Sequence, residues 1–108
     1  MAYDAGLAAR VVDALERLGE RGIRQKNVFG GWGFMAGKSA FAIVWEEGLI
    51  VKTRKSEYAA ALAVSGVTAF TPMGEKPMSS WVVVSSEVLA DDPELAEWLR
   101  AGLRAVRS

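Results

Sequence analysis

The stretch FGGWGFMAGKSAF, from Phe29 to Phe41, constrains the fold more than any other part of this 108-residue sequence. Its glycines match pieces of two nucleotide-binding signatures, G-x-G-x-x-A and the Gly-Lys-Ser end of a Walker A loop. A Walker A loop also needs a glycine where Trp32 stands, and both signatures need a helix directly afterwards to hold the phosphate. The segment that follows, SAFAIVWEEG, alternates like a β-strand. The stretch is therefore interpreted as a glycine-containing β-hairpin without a phosphate site.

The hairpin interpretation gives each glycine an ordinary task. Gly30 and Gly31 permit a positive φ or a bulge in the first turn, and Gly37 serves the next turn. In the strand after it, Phe41, Ile43 and Trp45 are predicted to share one face, with smaller residues on the other. Both faces are apolar, which favours a central strand.

Helices are predicted at both ends of the chain and once between. The first has Asp4 as its N-cap, Gly19 as its stop and an apolar stripe of Leu7, Val11, Ala14, Leu15 and Leu18. A short alanine-rich helix runs from a Ser56 cap toward Gly66. The last begins at Asp92-Pro93, with Asp92 accepting bonds from the free amides, and its inner face carries Leu95, Leu99, Leu103 and Val106.

Together these patterns predict a single domain over residues 1–108 with an α+β fold. Two layers are expected, with helices packed on an antiparallel sheet in the order α-β-β-β-β-α-β-β-α. The residues predicted to be buried are Leu15, Phe41, Ile43, Trp81 and Leu99, with Trp98 also in the core.

The composition restricts the chemistry, because the sequence has no Cys and no His. Disulfides, thiol nucleophiles, Ser–His relays and the ligands that zinc prefers are therefore excluded. Glu46 and Glu47 should point to opposite sides of a strand. We expect no catalytic residue, no metal and no cofactor. A small enzyme or ligand-binding protein stays an alternative, in which Lys52 and Tyr58 meet near one end of the sheet.

Thirteen basic and thirteen acidic residues balance the charge, which does not favour a dedicated nucleic-acid binder. A local basic patch still leaves weak, salt-sensitive DNA binding as a second alternative; it comprises Arg21, Arg24, Lys26, Lys52, Arg54 and Lys55. The longest uncharged stretch is too short to span a bilayer, and the N-terminus does not read as a secretory signal. We expect a cytoplasmic protein without membrane contact.

The order FGG, then Gly33-Phe34, then Gly37 before Phe41 resembles the "FGG-x-G" hairpin in the N-terminal domain of the TfoX/Sxy competence regulators. The resemblance continues through GLIVKT and Tyr58 to KPMSSWVVVSSEVLADDPELAEWLRAGL, and covers nearly the whole chain. Val28 stands where that family often has Met. Full-length regulators of the family also carry a second, C-terminal domain.

This resemblance implies a non-enzymatic, competence-related regulatory module that acts on transcription through a protein partner. Nucleic-acid contact would be weak or indirect, and a homodimer is left open. The predicted partner contact comprises Phe29, Gly30, Gly31, Trp32 and Gly33, because tight glycines present backbone and an aromatic ring together. On this hypothesis Trp32→Ala weakens partner capture and leaves stability nearly unchanged.

Overall fold

The computed structural model describes residues 3–72 and 77–107. Within them the chain forms three helices and six strands in the predicted order, so the predicted α+β fold is confirmed. The helices are α1 (Ala5–Arg17), α2 (Lys55–Leu62) and α3 (Asp92–Arg107). The strands are β1 (Arg24–Val28), β2 (Gly31–Ala36), β3 (Ser39–Val44), β4 (Gly48–Lys52), β5 (Val67–Ala69) and β6 (Trp81–Ser85).

The strands form one antiparallel sheet in the order β1-β2-β3-β4-β6-β5. The first four strands follow one another as a meander, whereas β6 inserts between β4 and β5. Helices α1 and α3 pack on one face, which we call the covered face, and bury the main core there. The opposite face, which we call the open face, includes one row of facing residues from β1 to β5: Lys26, Gly33, Ile43, Ile50, Val83 and Thr68.

The predicted N-cap and the predicted C-terminal glycine of α1 are both confirmed. Asp4 Oδ1 accepts a hydrogen bond from the Leu7 backbone N–H at 3.0 Å, which satisfies one of the free amides of the first turn. Gly19 follows the helix with φ +76°, the left-handed conformation that ends many helices. The predicted stripe of α1 faces the core, with Val11 fully buried.

The start of α3 at Asp92 is confirmed, whereas α2 begins before the predicted Ser56 cap. Ser56 is not the cap of α2, because the helix starts at Lys55 with Arg54 in the capping position and no side-chain cap. The helix also ends at Leu62, before Gly66. In α3, the Asp92 carboxylate accepts hydrogen bonds from Arg10 and Arg17 of α1. These two hydrogen bonds join the start of α3 to α1.

Both predicted turns are present, but the first lies one residue earlier than predicted, since Gly31 is the first residue of β2 and pairs with Val28. Phe29 and Gly30, with φ of +54° and +82°, form the two-residue turn between β1 and β2. Positive φ at both positions matches a type I′ hairpin turn. Gly37, at φ +63°, and Lys38 connect β2 to β3, and residues 39–44 continue as a strand.

The predicted face of Phe41 is wrong because β3 contains a bulge. Phe34 pairs with Ala42 and Met35 pairs with Ala40, so Phe41 is an additional residue without a partner in the ladder. The bulge puts Phe41 beside Ala42 on the covered face, while Ile43 lies on the open face. Phe41 there contacts α3, where a Cβ added at Gly102 would come within 2.7 Å of the Phe41 carbonyl oxygen.

The predicted core is confirmed in four of five positions, since Leu15, Phe41, Ile43 and Leu99 are buried. Trp81 is only half-buried, because it lies at the margin of the smaller cluster on the open face. Trp98 is likewise half-buried at the margin of the main core. No helix within residues 3–72 and 77–107 is long and apolar enough to cross a bilayer.

Candidate functional site

The open face of the sheet carries a small apolar cluster that covers only part of it. Ile43 and Ile50 are buried beneath Phe70, whose ring packs edge-on against Trp45 with the centroids 5.8 Å apart. Phe70 follows β5 and reaches across the sheet to β3. The apolar surface toward the β1–β2 turn remains accessible beyond Phe70.

This accessible surface is a shallow groove of about 380 Å³, which we call the open-face groove. Its floor is formed by the sheet and its sides by the two turns at the β2 ends and by the chain before β6. The lining residues are Lys26, Asn27, Val28, Phe29, Met35, Lys38, Ala40, Ile43, Met78 and Trp81. The groove is therefore apolar at its base and basic at its rim.

Phe29 is the most unusual residue of the groove. Its side chain is 65% exposed, and its backbone holds φ +54°, which bulky side chains rarely adopt. The ring lies 6.4 Å from the ring of Phe70, measured between centroids, at an interplanar angle of 44°. Gly or Asn would occupy this turn position with less strain. The chain thus keeps a large apolar ring on the surface at a conformational cost.

Arg24 lies beside the basic rim and contacts the second turn. Arg24 Nη2 donates a hydrogen bond to the Gly37 carbonyl oxygen at 2.6 Å, which ties the start of β1 to the second turn beside Lys38. Farther along the sheet, the Lys52 ammonium lies 5.7 Å from the centre of the Trp81 ring. In the described part of the chain, no carboxylate forms an ion pair with Lys26, Lys38 or Lys52.

The five residues predicted as the contact surface do not all lie on the same face of the sheet. Phe29 and Gly30 form the exposed turn, and Gly31 and Gly33 lie on the open-face side of β2. A Cβ at Gly31 would approach the Trp45 ring to 2.5 Å, and one at Gly33 would approach Val28 Cγ2 to 2.5 Å. Because these two glycines have no side chains, Trp45 and Val28 can pack closely against the β2 backbone.

Trp32, the fifth predicted residue, lies on the covered side near the sheet edge. Its ring stacks on Tyr3 with the centroids 5.6 Å apart, and its Nε1 donates to Gln25 Oε1 at 2.8 Å. The side chain is partly buried against the main core. Its contacts are thus largely satisfied within the chain, and a stability loss for Trp32→Ala is expected in place of the unchanged stability predicted from sequence.

Sequence reasoning did not identify Met35, Lys38 and Met78 as groove residues. The hairpin pattern contained the signal for Met35, because pairing with Arg24 follows from a two-residue turn at Phe29 and Gly30. Lys38 follows similarly from the second turn. Met78 had no local signal, since its position depends on the path of the chain after Phe70.

The residues of the enzyme alternative are not gathered into one site. Lys52 lines a cavity of about 390 Å³ with Arg54, Lys55 and Ser80, and neither Tyr58 nor a carboxylate is among the residues that line it. Tyr58 instead packs against the main core.

The predicted basic patch is likewise divided. Arg24 and Lys26 lie on β1, while Lys52 lies on β4 with β2 and β3 between them.

Altered pKa values occur in the helical layer, away from the open-face groove. Hydrogen bonds from Arg10 and then Arg17 hold the pKa of Asp92 below its ordinary value. A hydrogen bond from Arg107 lowers the pKa of Glu20, and the same contact raises the pKa of Arg107. These groups take part in ion pairs that join α1 and the segment after it to α3.

Comparison with known protein families identifies the domain type. The TfoX N-terminal domain matches residues 13–106, which is most of the chain. A search of curated proteins found no match. The matched range includes the whole sheet, both glycine turns and the groove.

Proposed function

We propose that this chain, which belongs to the TfoX N-terminal domain family, is a non-catalytic module that regulates transcription by binding a protein partner in the open-face groove. The family membership indicates a competence-related regulatory module. The finer statement, a protein partner bound at the groove, is our inference from the surface.

The observation that carries the proposal is the exposure of the Phe29 ring together with the left-handed backbone conformation of that residue. An aromatic ring that is 65% exposed on a left-handed turn is unfavourable for the isolated chain in two ways. A partner that buries the ring would recover apolar burial, and the fixed turn would reduce the entropy lost on binding. Large aromatic side chains at the centre of a contact commonly dominate binding energy.

The composition of the groove supports a protein as the ligand. Met35 and Met78 offer flexible apolar side chains that adapt to a partner's surface. Met78 is 40% exposed, so it adds to the apolar area around Phe29. Lys26 and Lys38 at the rim supply charge for orientation and specificity.

Two features argue against catalysis and direct DNA recognition at this surface. A nucleophile, an activated base and an orienting group do not come together around the groove residues. The division of the basic residues between β1 and the region near α2 gives no continuous track for a phosphate backbone. Nucleic-acid contact would then be made by the partner.

Site-specific crosslinking tests the proposal, because the chain has no native cysteine. Lys38→Cys places one reactive group at the groove rim, and Ser86→Cys places a matched group at an exposed position outside the groove. Each variant would carry a maleimide photocrosslinker into an extract of the native host. We expect a protein of the transcription apparatus to be captured from the Lys38 position and not from the Ser86 position.

Competition completes this experiment. Unlabelled parent protein should suppress the crosslink, whereas Phe29→Asn, which keeps the left-handed turn and removes the ring, should suppress it far less. Equal capture from both cysteine positions, or equal competition by Phe29→Asn, would contradict the proposed surface.

A further inference from the structure

The outer edge of β1 is a free sheet edge next to the open-face groove. Among the described residues, β1 pairs with β2 alone, and positions 24–27 are exposed. The opposite edge of the sheet, β5, is short and lies beside α2. A free edge of this kind is where an extended peptide can join a sheet.

The two-residue turn fixes which backbone groups point outward. In such a hairpin the pair flanking the turn, Val28 and Gly31, exchanges both backbone hydrogen bonds, and bonded pairs then alternate. Lys26 and Arg24 are therefore bonded to β2. Gln25 and Asn27 are left with their N–H and C=O groups directed away from the sheet. The free edge thus offers two donor and acceptor pairs to another strand.

The side chains along this edge define what kind of strand would fit. Arg24, Lys26 and Val28 are on the open-face side, in that order toward Phe29. The Arg24 guanidinium is positioned by its hydrogen bond to the Gly37 carbonyl oxygen. The edge therefore presents two cations followed by an apolar end at Val28 and Phe29.

We propose that the partner contributes an extended acidic segment that adds to the sheet alongside β1. Two carboxylates, spaced two residues apart, contact Arg24 and Lys26, and an apolar side chain two residues farther packs on Val28 and Phe29. This inference rests on the proposed function, since it names the part of the protein partner that occupies the groove margin. Backbone bonds supply affinity, and the alternating side chains supply specificity.

A second copy of this chain fits the edge poorly. Antiparallel pairing of all five β1 residues with another β1 would place Lys26 directly opposite Lys26 of the second copy. Like charges directly opposite each other destabilise a strand pair. The same two cations that attract an acidic strand therefore oppose self-association.

A single-stranded nucleic acid also fits less well, because such ligands need successive exposed rings on which bases stack. Trp32 is already stacked on Tyr3, and the Trp81 ring is occupied by Lys52. Phe29 is then the exposed ring at this edge. The unpaired backbone groups of Gln25 and Asn27 are better matched by a peptide backbone.

Short synthetic peptides test this inference directly. Two fluorescent peptides containing Glu-Thr-Glu-Thr-Leu and the reverse order would be titrated into the full chain and followed by fluorescence anisotropy. We expect one direction to bind, and Lys26→Glu to weaken that binding by about tenfold or more. Lys55→Glu, the same charge change on α2, should leave binding nearly unchanged. A peptide with Lys in place of only the Glu that faces position 26 should recover binding to Lys26→Glu.

Backbone methylation separates strand addition from simple charge attraction. Methyl groups on the peptide nitrogens that face β1 should abolish binding, and methyl groups on the alternate nitrogens should not. Equal effects of the two methylation patterns, dimerisation of the chain, or preferential binding of oligothymidine would overturn the inference. A partner captured at Lys38 that lacks an acidic extended segment would also overturn it while leaving the proposed function intact.

Discussion

The two faces of the sheet are built from the same strands and differ in what happens to their charged residues. On the covered side, the ion pairs link α1 with α3, α2 with α3, and the end of α1 with the end of α3. On the open side, Lys26 and Lys38 lie at the rim of an apolar groove. Among the described residues, neither lysine forms an ion pair with a carboxylate.

The faces also differ in how their apolar residues are packed. Phe41, Val44 and Leu49 on the covered face are fully buried under the helices. The open face buries Ile43 and Ile50 under Phe70 but leaves Phe29 and Met78 exposed. The comparison teaches that the covered layer buries its large apolar residues within the chain, whereas the open layer leaves apolar side chains exposed.

The largest expected effect is on the covered face. Phe41→Ala removes a fully buried ring beneath α3 and should lower the free energy of unfolding by about 3–5 kcal/mol. Urea denaturation followed by circular dichroism measures this. A loss below about 1 kcal/mol would show that the helices do not depend on the bulged residue as the packing indicates.

The second effect tests the close approach of α3 to the sheet. Gly102→Ala adds a Cβ that would come within 2.7 Å of the Phe41 carbonyl oxygen, so the helix must shift, at a cost of about 1–3 kcal/mol. Gly6→Ala is the matched control, because its Cβ would come 3.3 Å from the flexible Asp4 Oδ1 that caps α1 and would contact no backbone atom beyond its own helix within 4 Å. The control should equal or exceed the parent in stability by up to about 1 kcal/mol, since alanine favours helix. Equal behaviour of the two variants would contradict the close contact.

The third effect is expected to have the opposite sign and to arise on the open face. Phe29→Asn relieves a bulky residue in the left-handed turn and should raise the free energy of unfolding by about 0.5–1 kcal/mol. The same variant should bind the partner more weakly. Denaturation and crosslinking competition on one protein sample would measure both. A destabilised Phe29→Asn would show that the ring serves the fold, which would remove the main support for the proposed surface.

The smallest expected effect is on how the free energy of unfolding changes at low pH. The lowered pKa values of Asp92 and Glu20 mean that their contribution to stability is present above their ordinary unfolded values and is lost as pH falls through the folded values. Asp92→Asn should therefore lose less stability than the parent between about pH 7 and pH 3. Parallel urea titrations at the two pH values check this. An identical pH dependence would show that the Arg10 and Arg17 contacts add nothing measurable to the covered side.

Much of the fold was predictable from sequence, and the exceptions have physical causes. Helix periodicity and the Asp4 cap predicted α1 because those signals are local. The face of Phe41 could not be predicted by simple alternation, since a bulge is defined only by the register with β2. Trp81 was assigned to the core by its size, but its burial depends on the path of a distant segment.

The site shows the same division between local and distant information. The glycine pattern predicted a hairpin at Gly30 and Gly31, one residue later than the observed turn, and the position of Arg24 and Lys26 on one strand follows from the observed turn. The contacts of Trp32 required knowing that Tyr3 and Gln25 come together beside it. The sequence alone therefore located the hairpin but did not show which of its aromatic rings is exposed.

The strand order has a consequence for how the chain folds. Strands β1 to β4 are joined by short turns and can pair with little loop-closure entropy, whereas β6 must reach β4 across α2 and β5. The meander is then expected to form before β6 docks, which leaves β4 as a temporary edge. Its apolar residues Leu49, Ile50 and Val51 have no charge to prevent intermolecular pairing during that interval. Aggregation during refolding is thus expected to begin at β4, while the charged β1 edge stays protected throughout.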